Sequence, residues 1–178
     1  MSASHRKVTI NRAPVLTLWA AVVAERLGLD RDEALTMGKA LSGLTAHAKG
    51  VRLGIYEPTP ETVSDKRKTL QQGEEIPIDL MGRSIPAVHT KDGLRAVSRG
   101  KQIKPAAVDR YLASKFGDDL DDVRQAMTVL AESLPATELA RRAFGLYEGF
   151  RPEVKAGTAG WGAEGELDLA KLAPPHRS

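Results

Sequence analysis

The chain reads as an α+β protein, predominantly helical, with a small antiparallel β-hairpin sheet set between an N-terminal three-helix part and a C-terminal three-helix part. Three observations predict this. Apolar residues recur at three- and four-residue spacing over most of the length, interrupted by glycines where helices stop. From Glu75 the period drops to two, with hairpin-forming turn residues between the runs. Finally, 178 residues at 42% hydrophobic supply a real core, and an aromatic share of 4% leaves Leu, Val, Ala and Met to build most of it.

Four stretches follow in order. Residues 1–12 are a flexible basic arm, 13–104 hold helices and the β-hairpin, 105–150 form a helical subdomain packed on the first, and 151–178 are a Gly-rich acidic tail whose acids include Glu164, Glu166 and Asp168. Asn11 suits an N-cap and Pro14 the first turn of a helix, where a missing N–H costs nothing. Val15, Leu18, Trp19, Val22, Val23 and Leu27 then make one wide apolar face that ends at Gly28, and Trp19 inside it reads as a core anchor. Asp30 and Glu33 form a capping-box start for a second helix reaching about Lys49, with Gly50 as its stop. Gly38, Ser42 and Gly43 are poor helix formers, and the close approach of another helix accounts for them. Beyond a turn-rich connector, Thr59 and Pro60 open a third helix to about Gln72 that carries Lys66, Arg67 and Lys68.

Ile76, Ile78 and Leu80 alternate with Pro77 and Asp79, and Met81-Gly82-Arg83 turns the chain into a second strand, Ile85 to His89. Lys91-Asp92-Gly93 is a hairpin turn, Leu94 to Val97 the next strand, and Arg99-Gly100-Lys101 a further turn. Pro77 and Pro86 lack a donor, which puts them at sheet edges or bulges. Pro105 opens a helix with Val108, Tyr111, Leu112 and Phe116 inward, ended by Gly117. Asp118 or Asp119 caps the next, which buries Val123, Ala126, Met127, Leu130 and Leu134 up to Pro135; the last, from about Ala136, buries Leu139, Ala143, Phe144 and Tyr147 and stops near Gly149. In the tail, Leu167 to Leu172 suits a short strand or helical turn.

Charge is where function enters. Arg83, Lys91, Arg95, Arg99, Lys101 and Lys104 against Asp92 give residues 83–104 a net +5 in a chain that totals +3, so the positive charge is local. Local cations on short strands are the footprint of phosphate contact, because each neutralised phosphate releases counterions. The absence of Cys excludes disulfides, thiolate nucleophiles and Cys-ligated metals and fits a reducing cytoplasm. The apolar run Ala13–Ala24 is too short to span a bilayer and lacks a cleavage pattern after it, so no membrane or signal role is expected. No phosphate-binding, dinucleotide or hydrolase motif is present. His47 near a helix end suits the helix dipole, and His89 with Asp92 is the best general-base candidate, a weak one. Asp118, Asp119, Asp121 and Asp122 fall short of a calcium loop, having Val123 where Gly is required. No enzyme, cofactor or metal is therefore expected.

The corner Ala24, Gly28, Leu29, Ala34, Met37 resembles helix-turn-helix spacing. A groove-entering helix that begins Asp30-Arg31-Asp32-Glu33 would set three carboxylates against a polyanion, so the corner reads as structural. Three helices followed by a β-hairpin over residues 13–104 resemble the layout of winged-helix DNA-binding domains. That resemblance implies a third helix presenting Ser64, Arg67, Lys68 and Gln71 to the DNA, with Lys91 and Arg95 flanking from the wing. The expectation is a non-enzymatic nucleic-acid-binding protein, DNA before RNA, with a role in transcription regulation, engaged through Lys66, Arg67, Lys68, Arg83, Lys91, Arg95, Arg99 and Lys101. The basic stretch has no aromatic platform for single strands. The alternative is an interaction or scaffold module that meets an acidic partner or forms a homodimer.

Overall fold

Helix α1 (Arg12–Arg26) is apolar on every side, and every residue from Pro14 to Ala24 is buried. A helix with no polar face must sit at the centre, and α1 packs against α2 (Arg31–Arg52), α3 (Pro105–Phe116), α4 (Leu120–Glu132), α5 (Ala136–Phe150) and β1 (Lys7–Asn11). The computed structural model describes residues 7–52, 75–98, 100–152 and 164–172, with side chains at all of these except 46–52, 75 and 164. The expected third helix, with Lys66, Arg67 and Lys68, lies outside the described residues, as does Arg99.

The protein is a mixture of helix and antiparallel sheet, as the two periods require. One sheet has four strands in the order β2 (Glu75–Leu80), β3 (Arg83–Thr90), β4 (Gly93–Ser98), β5 (Lys101–Gln102). It packs on α2, so α2 lies between α1 and the sheet. The second sheet pairs β1 with β6 (Glu164–Asp168), register Lys7 to Asp168 through Asn11 to Glu164. Residues 7–11 are thus a strand rather than part of a flexible arm, because Val8 and Ile10 point inward and Leu167 meets them in the core. A 3-10 turn, Leu169–Leu172, follows β6 and packs on α4 and α5. Over the whole of 151–178 four acids meet four bases, so the tail's acidic character is confined to 164–168.

The Asp30–Glu33 capping box forms: Asp30 Oδ1 accepts from the Glu33 amide at 2.8 Å and Glu33 Oε1 from the Asp30 amide at 3.1 Å. Gly38 meets α1 so closely that a Cβ there would overlap the Thr17 carbonyl oxygen and lie 3.0 Å from the Ala21 amide nitrogen. One turn on, the Thr17 and Ser42 hydroxyls are 2.7 Å apart in the same buried seam. Gly43 faces open space, so close packing explains Gly38 and Ser42 but not Gly43. Two terminal signals differ from expectation, and a third holds to within one residue. Asn11 makes no side-chain cap bond, α2 continues through Gly50, and Gly149 lies inside α5 so that Phe150 can reach the core.

Pro77 is on the edge strand β2, as its missing donor demands. Pro86 is on β3, an inner strand, yet it lies just before the β3–β4 ladder, which begins at the Ala87–Ala96 pair. Pro77 and Pro86 face each other, so the two residues that cannot donate share one rung.

Four of the few aromatic side chains gather on one side of α1. Trp19 meets Phe150 edge-on at 5.2 Å, and Tyr147 touches both Phe150, at 6.0 Å, and Phe144, at 5.7 Å. The Tyr147 hydroxyl is buried with no hydrogen-bond partner among the described residues. Burial pushes its pKa from 10.0 up to about 12. Between those values the folded protein keeps a proton that the unfolded chain has released, so folded stability falls as pH rises. A loss on the order of 2–3 kcal/mol corresponds to such a shift. Denaturant unfolding from neutral pH to about pH 12 is expected to show this decline in the natural protein and a much shallower one in Tyr147→Phe. At neutral pH that variant should be no less stable, because the hydroxyl it removes satisfies nothing among the described residues. Equal alkaline slopes would contradict the assignment.

Candidate nucleic-acid interface

The cations of residues 83–104 do not share one surface. In the antiparallel β3–β4 hairpin, Arg83 starts β3 and Lys91 follows its end, eight residues of strand away, or roughly 26 Å at the usual rise. The β3–β4 register pairs Ala87 with Ala96, and β4 pairs Ser98 with Lys101 on β5. Carried along the strands, it brings the β4–β5 turn to the Arg83 end of the sheet. Arg83 and Lys101 therefore occupy one end and Lys91 the other.

The Lys91 end is occupied by the start of helix α2. Glu33, whose first carboxylate oxygen closes the capping box, uses its second to accept from the Leu94 amide at 2.9 Å. One turn on, Thr36 Oγ1 accepts from the Ala96 amide at 3.1 Å. Leu94 and Ala96 present their amides along the β4 edge that β5, only two residues long, leaves uncovered. Two side chains of α2 thus take the place of a strand partner, and this edge is covered without relying on surface charge. Gly93 is what lets the turn reach the helix. Its φ is +116°, and a Cβ there would sit 3.0 Å from Glu33 Oε2. The Lys91–Asp92 turn needs a left-handed residue only at this position, since neither Lys91 nor Asp92 has positive φ.

Arg95, expected to flank the groove from the wing, is buried. It is 8% exposed, donates from Nη1 to the Leu94 carbonyl at 2.8 Å and places Nη2 4.0 Å from Asp32 Oδ2. A buried guanidinium committed to an internal carbonyl and carboxylate cannot also embrace a phosphate, so it fixes the hairpin against α2. Lys91 stays exposed, beside a helix start that carries Asp30, Asp32 and Glu33. A polyanion approaching that turn would meet these carboxylates.

Arg83 and Lys101 stand at the other end, and Lys104 follows β5 as it runs back along β4. Arg83 is half-buried, and Lys101 and Lys104 are exposed. Lys104 is the N-cap of α3, immediately after the short β5. Among the described residues, neither these three nor Lys91 has a carboxylate within ion-pair distance. Lys104 enters the charge count of the stretch, yet no strand or helix face singles it out; its backbone is extended and continues the direction of β5.

The acids and bases of the first corner have partners elsewhere in the fold. Arg31 pairs with Asp109 of α3 at 2.8 Å, Asp32 with Arg95, and Glu33 with Leu94, so the start of α2 is tied down on several sides. His89 is exposed, and no hydrogen bond orients it among the described residues. Nor do three or more His, Asp or Glu side chains among these residues gather as a metal site would require. No described helix is long and apolar enough to cross a membrane. Comparisons with protein-family models, with curated proteins and with solved structures find no match.

Proposed function

We propose that the chain binds nucleic acid, double-stranded DNA before RNA, and that Arg83, Lys101 and Lys104 contact the phosphates. The observation that carries this reading is that these three cations, two of them exposed and Arg83 half-buried, stand without carboxylate partners among the described residues. Arg99 lies between Arg83 and Lys101 in the chain and belongs to the same group by position; Lys66, Arg67 and Lys68 would supply base contacts from a third helix, in a winged-helix-like layout of three helices before the sheet and three after it. A cytoplasmic homodimer acting in transcription regulation, with no chemistry of its own, is the role that such binding would serve.

The test is salt-dependent binding of a labelled duplex. Three to four phosphate contacts predict a slope of log K on log salt near about −3. The double variant Lys101→Glu, Lys104→Glu should lose at least about tenfold in affinity and flatten that slope by about 2, while Lys91→Glu should change little. A duplex whose mobility is unchanged by micromolar protein at low salt removes the proposal. If the double variant instead disrupts self-association measured by sedimentation, the basic end meets protein.

A further inference from the structure

Between α1, the start of α2 and α4 lies a cavity of about 220 Å³, lined by Val22, Glu25, Arg26, Arg31, Arg124 and Thr128, with Ala131 and Glu132. Three arginines on three helices converge here, and they are not equally occupied. Arg26 donates through Nη2 to the Leu134 carbonyl at 3.0 Å, and Arg31 through Nη2 to Asp109 at 2.8 Å. Arg124 is partly buried and has no hydrogen bond or ion pair among the described residues.

An arginine drawn this far out of water normally finds an acceptor, because an unpaired desolvated charge is costly. Burial lowers the pKa of Arg124, the neighbouring Arg31 lowers it further, and Glu25, Asp109 and Asp121 compensate only from beyond ion-pair distance. Asp109 is in any case engaged by Arg31. A second cation beside the first, both facing an open cavity, is an arrangement that an anion stabilises and that water serves less well.

We propose that this cavity binds a small oxyanion, the phosphate or carboxylate group of a small molecule, with Arg124 as the principal ligand, Arg31 as the second and the Thr128 hydroxyl as a further donor. The guanidinium fork suits a two-oxygen acceptor. Glu25 and Glu132 on the same wall exclude a highly charged ligand and would accept from its hydroxyl or ammonium groups. The volume is below the roughly 300–1,000 Å³ of drug-sized sites, which fits a compact ligand and not a nucleotide. The site is separate from the basic end of the sheet, and it stands or falls independently of the nucleic-acid reading.

The experiment is thermal unfolding of the full chain in inorganic phosphate and in acetate, each compared with chloride at equal ionic strength. A saturable rise in midpoint of about 5–10 °C at a hundred times Kd is expected for whichever oxyanion binds. Arg124→Gln should weaken it at least tenfold, whereas Lys101→Glu, Lys104→Glu should leave it intact. Because Arg124 makes no internal bond among the described residues, its variant should be as stable as the natural protein without ligand. The same titration followed by the Arg124 side-chain NMR signal reads binding in the natural sequence, so the result does not depend on the variant folding. No saturable response to either anion, or a response unchanged in Arg124→Gln, overturns the proposal.

Discussion

Trp19→Ala is expected to destabilise the protein by about 4 kcal/mol, a fall of roughly 8–16 °C in thermal midpoint for a chain of this size. The indole is fully buried at the centre of α1, donates from Nε1 to the Ala143 carbonyl at 2.9 Å and meets Phe150 edge-on. Its neighbours stand on a different helix, and removing the ring leaves a void that rigid backbones can close only in part. Trp19→Phe keeps most of the apolar volume and loses one hydrogen bond, so about 1–2 kcal/mol is expected. Chemical denaturation of the two variants decides the matter. A loss below about 1 kcal/mol for the alanine variant would mean that Trp19 is not the anchor of the α1–α5 contact.

Gly38→Ala is the second large effect, and it runs against helix propensity. In an exposed helix the change would gain up to about 1 kcal/mol. Here the added methyl overlaps the Thr17 carbonyl oxygen and crowds Ala21, and both belong to a helix packed on all sides. Neither helix can move without opening the buried Thr17–Ser42 seam. A net loss of about 3 kcal/mol is expected. Gly43→Ala, five residues along the same helix with nothing within 4 Å, should instead gain about 0.5–1 kcal/mol. Thermal unfolding by circular dichroism separates the pair, and two variants that shift in the same direction would refute the packing argument.

These opposite expectations show how far the sequence can be read. Three glycine or serine positions look alike there: Gly38, Ser42 and Gly43 are all weak helix formers in one helix. Only the position of α1 distinguishes the two that face it from the one that faces solvent. The alternating residues of β2 and the turns of the sheet were legible for a similar reason, since a strand with one buried face repeats every two residues. The capping box was legible because its two partners are three residues apart. The bond that joins the same Glu33 to Leu94 spans 61 residues, and nothing in the local pattern marks it.

The candidate site was legible in charge and illegible in placement. Six cations in 22 residues identify a basic stretch, but whether they act together depends on the hairpin register and on what covers each end. Arg95 belongs to the internal fastening of α2 to the sheet, whereas Arg83, Lys91, Lys101 and Lys104 form no ion pair among the described residues. The cavity around Arg124 carries no sequence signal at all. Arg26, Arg31 and Arg124 come from segments almost a hundred residues apart, and each by itself looks like an ordinary solvated arginine.

What the sequence determined by itself was everything set by neighbours along the chain: the type of most elements, their capping and turns, the buried stripe that holds Trp19, and the local excess of positive charge. What only the tertiary structure decided was which faces those elements turn toward one another. It enclosed α1 on every side, converted the end of the basic arm into a strand paired with β6, buried Arg95 and left Arg124 facing a cavity. The reason is physical. Periodicity and capping depend on spacings of two to four residues, whereas burial and charge pairing depend on contacts between segments that only the packed chain brings together.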